Sequence, residues 1–231
     1  MIGTGVGFPI GTIGGHQIRL DPVAFGMFGL LIWLNSRDGQ FVAAFLVAVF
    51  VAVLLHELGH ALLIGRFTRQ STFIVIGFAG GYTVNPKVLP PARQLLVSLA
   101  GPGAGFLTGA VAWGAALLFV PGHPAYPPWD FYAGMPTWEI SLNLFLLGSF
   151  FWSAMNLIPA LPLDGGQALR AFLILVGMKK PRARRITRWL TLVLALGLGA
   201  YGLIVWESLI IGLFAVFSIM AVWDEASREG W

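Results

Sequence analysis

From Phe41 to Leu55 fifteen consecutive residues are apolar, and the run then breaks on His56-Glu57. Such a stretch has no polar face to turn toward water, so it cannot be a surface helix of a water-soluble domain. A membrane-spanning helix needs about 20 mostly apolar residues. Candidate spans are 22–35, 41–65, 94–120, 138–158, 186–206 and 208–223, of which the first and last are short. Only 10% of the 231 residues are charged, against about 25% in ordinary soluble domains. The expected fold is membrane α-helical, a polytopic bundle of about six transmembrane helices within one integral-membrane domain over 1–231.

Two segments depart from the helical pattern. Met1 to Leu20 is rich in Gly and alternates apolar residues at Val6, Phe8 and Ile10, which predicts a short β-hairpin ending at Ile18-Arg19-Leu20. It lacks the basic start and apolar centre of a signal peptide. Phe73 to Tyr82 reads as a second hairpin, apolar enough to lie at membrane depth. Open strand edges persist there only when buried in protein or lining a wet cavity.

Lysine and arginine set the expected topology. Arg66, Arg69, Lys87 and Arg93 follow the second span, and Lys179, Lys180, Arg182, Arg184, Arg185 and Arg188 follow the fourth. Pro121 to Thr137 contains neither residue type. The positive-inside rule then puts both termini and both basic segments in the cytoplasm, with Arg37 a lone exception. The net charge of +4 comes from these few loops, which argues for topology and against a nucleic-acid surface.

The second span ends in His56-Glu57-Leu58-Gly59-His60. Residues four apart share a helix face at about 5–6 Å, so the two imidazoles can converge on one tetrahedral Zn²⁺. Glu57 follows the first of them, where it can act as general base, the arrangement of metalloproteases. Of the ten acidic residues, Glu57 alone falls inside a predicted span rather than in a loop or near a span end; a carboxylate there costs several kcal/mol and is functional by default. Cysteine is absent, so a third ligand comes from His16, His123 or a carboxylate. His16 and His123 read as solvated loop residues. Asp164 is better placed, because the fourth span returns to the side on which the second ends. Around it, Pro159 and Pro162 are expected to hold the chain extended, and Gly165 and Gly166 to let it turn after the aspartate. Gly101, Gly105 and Gly109 in the third span have the spacing of a close helix–helix contact.

The pairing of His56 to His60 with Asn156-Leu157-Ile158-Pro159-Ala160-Leu161-Pro162-Leu163-Asp164-Gly165-Gly166 resembles the site-2 protease family of intramembrane zinc metalloproteases. The Ile18-Arg19-Leu20-Asp21 entry, the Gly-rich hairpin and Ala100-Gly101-Pro102 extend the resemblance over most of the chain. It implies that His56, His60 and Asp164 hold Zn²⁺ and that Glu57 activates water. It also implies that Asn156 helps hold the substrate, and that the hairpin at Gly77, Phe78, Ala79, Gly80 and Gly81 guides an unwound substrate toward the metal. The implied activity is hydrolysis of peptide bonds in or near transmembrane helices of single-span or other membrane-protein substrates. The setting is the lipid bilayer of the cell membrane, with the site toward the cytoplasmic face; nucleic acid is not expected as a partner, and a homo-oligomer stays open. Many relatives carry a PDZ or CBS domain, for which these residues leave no room. Some have an asparagine three residues after the Gly-Pro pair, where this chain reads Gly103-Ala104-Gly105.

Other readings compete. A metalloprotease with a later glutamate ligand would need one of Glu139, Glu207, Glu225 or Glu229, all at span ends or in the tail. A metal transporter would spread polar groups along a path, and an inactive scaffold would lose a ligand or the glutamate. A lipid-modifying enzyme would share the same apolar setting.

Overall fold

The computed structural model describes residues 7–36, 38–77, 80–84, 87–120, 135–205 and 209–229. Phe78, Ala79 and His123 lie outside the described residues. By its contacts the chain divides into two compact units, one taking residues up to Val88 with Ala100–Ala154, the other Leu89–Leu99 with Met155 onward.

In the first unit, strands β1 (Phe8–Ile13) and β2 (His16–Leu20) form the first predicted hairpin, and β3 (Phe73–Gly77) and β4 (Gly80–Thr83) the second. Both are antiparallel, but they are not separate. β2 and β3 pair in parallel from Gln17↔Phe73 to Leu20↔Ile76, giving one four-stranded sheet of order β1-β2-β3-β4. The parallel join is possible because helices α1 (Pro22–Ser36) and α2 (Gly39–Thr68) form the long crossover that parallel neighbours require. Ile18, Ile74 and Ile76 from the sheet meet Val53, Leu58 and Ala61 of α2 in a buried core.

α2 starts where Asp38 accepts hydrogen bonds from the backbone N–H groups of Gln40 (2.9 Å) and Phe41 (3.3 Å), satisfying donors that a helix start leaves unpaired. It stops at Arg69, a left-handed residue (φ 57) whose N–H reaches Gly65 O. Up to Ala52 it buries only the small stripe Ala44, Ala48 and Ala52. The first two pack with Ile140 and Leu144 of α4 (Thr137–Asn156). The predicted glycine ridge of α3 (Pro91–Phe119) is a packing seam: a Cβ at Gly105 would collide with Ser153 Oγ, and one at Gly109 would meet Ser149 Cβ at 3.1 Å.

Of the six expected spans, three are matched among the described residues by helices that meet the length and hydropathy of a membrane crossing: α2, α3 and α6 (Lys180–Val205). α1 has 15 residues, a rise of about 22 Å against about 30 Å of hydrocarbon. α4 has 20 residues, but Glu139, Ser141, Asn143, Ser149, Ser153 and Asn156 dilute its apolar character. α7 (Leu209–Glu229) ends on Asp224, Glu225 and Glu229, leaving fifteen uncharged residues up to Trp223.

His16 is also corrected. It is buried at 4% exposure as the first residue of β2, and its Nδ1 accepts from Thr72 N at 3.2 Å. Its flanking glycines suggested a solvated loop, whereas the parallel strand join draws it inside as a structural residue.

The second unit holds α5 (Asp164–Leu175), α6 and α7. Arg170 of α5 makes a paired contact with the Glu225 carboxylate of α7, and its Nε donates to Thr187 Oγ1 of α6 at 3.2 Å. Arg188 Nε reaches the same carboxylate at 3.3 Å. One glutamate thus ties the three helices together through charge-assisted bonds, the stronger class of hydrogen bond.

Candidate metal centre

His56 and His60 occupy successive turns of α2 at 2% and 6% exposure. Their rings stand 5.1 Å apart at 72°, and the two Nε2 atoms lie 3.3 Å from each other. Two nitrogens at about 2.0–2.1 Å from a tetrahedral Zn²⁺ would be about 3.3–3.4 Å apart. The imidazole pair is therefore spaced for a shared ion. Its Nε2 atoms face Gly101, where an added Cβ would collide with His60 Nε2 and lie 2.7 Å from His56 Nε2. The donor atoms of His56, Glu57 and His60 all lie within 4.8 Å of one another, and the three residues are buried. Two neutral nitrogen donors, a carboxylate and a side-chain-free notch form a cluster capable of coordinating a divalent metal.

The surrounding contacts explain how this cluster is held. Gly59, between the two histidines, has α3 directly against it: a Cβ there would strike Ala100 O and lie 2.7 Å from Ala104 Cβ. Small residues allow such close helix crossings, and this one brings Gly101 over the imidazoles. On another side β4 covers Glu57. A Cβ at Gly81 would lie 2.6 Å from Glu57 Cγ. Thr83 Oγ1 donates to Glu57 Oε2 at 2.8 Å and lies 3.1 Å from Glu57 O. The hairpin closes through the Gly77↔Gly80 pair, and Gly80, at φ +106, has the Trp152 ring against its α-carbon. A side chain is strained at that φ and has no space there.

Of the sequence-derived site residues, the structure brings together His56, Glu57 and His60, with Gly81 against Glu57. Asn156 and Asp164 belong to the second unit. Asn156 is the last residue of α4 and is buried, and Asp164 opens α5, where its charge complements the helix dipole.

The segment between them is not extended as expected. Ile158 N bonds to Met155 O and Ala160 N to Ile158 O, so it folds into tight turns. Leu161 N donates to Thr191 Oγ1 of α6 at 2.9 Å. Gly165 and Gly166 lie within the first turn of α5 rather than forming a turn after the aspartate. They are glycines for space: a Cβ at Gly165 would collide with Leu157 O, and one at Gly166 would lie 2.6 Å from Ala160 C.

Thr83 and Gly101 were not legible as site residues. Thr83 is an ordinary strand residue by sequence. Gly101 carries a signal, the Ala100-Gly101-Pro102 run, but reads first as helix packing.

No protein-family model matches the chain. Over 147 residues it is 33% identical to a zinc metalloprotease of Methanocaldococcus jannaschii, covering 64% of this chain and 38% of that protein. Over 201 residues it is 27% identical to the Rip3 protein of Mycobacterium tuberculosis, covering 83% of this chain and 43% of that one. The chain thus spans about two fifths of the length of these curated relatives. The site-2 protease structure from Methanocaldococcus jannaschii superposes with a TM-score of 0.68 at 25% identity, covering 95% of both chains. With the buried His-Glu-His cluster, this similarity in sequence and in fold supports a site-2-protease-like zinc metalloprotease family for the chain.

Proposed function

We propose that residues 1–231 act as one intramembrane zinc metalloprotease domain that hydrolyses peptide bonds in or near transmembrane helices of membrane-protein substrates. The observation that carries this reading is the imidazole pair of His56 and His60, 3.3 Å apart beside buried Glu57 at the end of a long apolar run. His56, His60 and Asp164 would hold the ion; the aspartate is assigned from the Pro-Leu-Asp-Gly motif and its family resemblance. A Zn²⁺ held there would supply Lewis acidity toward the scissile carbonyl and would acidify water. Glu57, whose Oε2 is oriented by Thr83, takes the proton of the attacking water and delivers it to the departing amide nitrogen. Asn156 and the hairpin at Gly77, Phe78, Ala79, Gly80 and Gly81 would engage the substrate, which must unwind to expose its carbonyls.

The metal residues lie 8–12 positions before the end of α2 at Thr68, about 12–18 Å along the helix. That end carries Arg66 and Arg69. The positive-inside rule therefore supports a site toward the cytoplasmic face, with both termini on that side. The setting is a multi-pass protein in the cell membrane.

The test uses purified chain in liposomes with a single-span substrate. Chelation should stop cleavage, and added zinc should restore it. Asp164→Ala should lower bound zinc by about 10–100-fold or more, measured by elemental analysis, while His123→Ala should leave it unchanged. Equal loss in both variants would overturn the ligand assignment, and cleavage indifferent to chelation would overturn the metal mechanism.

A further inference from the structure

α6 carries different chemistry on its two faces. Inward, Ala183, Thr187, Arg188, Thr191, Ala195 and Gly199 are buried, and the Arg188 charge is paired with Glu225. Outward, Arg182, Arg185, Trp189, Val193 and Leu196 recur every three or four residues and are all exposed. That interval lines side chains along one stripe of a helix. Along it the order is charge, then indole, then aliphatic groups. Lys179 and Lys180 are exposed at its basic end. Among the described residues these two lysines, Arg182 and Arg185 have no ion-pair partner.

The depth of each group follows from the helix itself. α6 is long and apolar enough to cross a membrane. From Trp189 to Val205 it rises about 24 Å, most of the roughly 30 Å of hydrocarbon in a bilayer. Trp189 then falls at the interface that tryptophan favours. Arg182 and Arg185 fall just outside it, at the level of lipid phosphates, while Val193 and Leu196 fall among acyl chains. A basic loop that only oriented the helix would need no such alignment.

We propose that this stripe binds one anionic phospholipid. Its headgroup phosphate lies at Arg182 and Arg185, its glycerol region against the Trp189 indole, and one acyl chain along Val193 and Leu196. The lysines raise the local positive field and favour a headgroup with net negative charge over a zwitterionic one.

The full chain, purified in nonionic detergent with equal phosphatidylglycerol and phosphatidylcholine, should retain the former about tenfold more strongly in native mass spectrometry. The double variant Arg182→Gln, Arg185→Gln should lose that preference, whereas Arg182→Lys, Arg185→Lys should keep most of it. Trp189→Ala should reduce retention of both lipids together, since the indole does not read charge. Equal retention of the two lipids by the unaltered chain would overturn the proposal. So would a double glutamine variant that keeps its preference. Displacement of the lipid by excess inorganic phosphate would also overturn it, marking a bare anion site indifferent to the acyl chain.

Discussion

Glu57→Gln is expected to lower kcat for a single-span substrate by about 10²–10⁴-fold while bound zinc stays at the level of the unaltered protein. The substitution keeps the shape of the side chain against Gly81, where an added Cβ would lie 2.6 Å from Glu57 Cγ, and an amide oxygen can still accept from Thr83 Oγ1. What disappears is the group that receives a proton from water. Cleavage by purified protein in liposomes, read beside zinc content, separates this from misfolding. Undiminished cleavage by Glu57→Gln would sink the mechanism. A graded companion is Thr83→Val, which removes the hydroxyl 2.8 Å from Glu57 Oε2 and nearly preserves volume. Hydrogen bonds to charged groups contribute roughly 1.5–3 kcal/mol, so kcat should fall by about tenfold or more with zinc again retained.

Gly101→Ala is expected to disrupt the metal centre through a single added methyl group. The added carbon would lie 2.7 Å from His56 Nε2 and collide with His60 Nε2, in the space an ion would occupy. Relief would require α3 to move off α2, but Gly59 already has the Ala100 carbonyl against it. The imidazoles must therefore turn away or the helices must separate. Overpacking of this kind costs about 1–3 kcal/mol, and zinc affinity should fall by at least roughly 10–100-fold. Gly103→Ala is the matched control, because a Cβ there meets nothing within 4 Å. It should be neutral or slightly stabilising, alanine being the better helix former by about 1 kcal/mol. Melting temperature and zinc content measured on both variants test the pair. Full zinc occupancy in Gly101→Ala would contradict the packing described at the centre.

Local rules made much of the fold readable. Two hairpins follow from alternation and glycine, and the long apolar runs of α2, α3 and α6 from composition. His56, Glu57 and His60 follow from helical spacing combined with the cost of a carboxylate among apolar residues. The count of spans was less legible. Apolar character shows along a sequence, but α1 proves too short for hydrocarbon and α4 too diluted by polar residues.

Long-range contacts had no local signature. That β2 pairs in parallel with β3, and so buries His16, depends on a crossover of two helices. That Thr83 orients Glu57 depends on β4 lying across α2, 26 positions away in the chain. Gly165 and Gly166 look like turn residues until the preceding segment is seen folded against them. The residue types and spacing of His56, Glu57 and His60 were therefore determined by the sequence itself, because one helical turn suffices to bring them together. The open notch at Gly101 and the hydrogen bond from Thr83 were decided only by tertiary structure, because each needs a second element packed at contact distance.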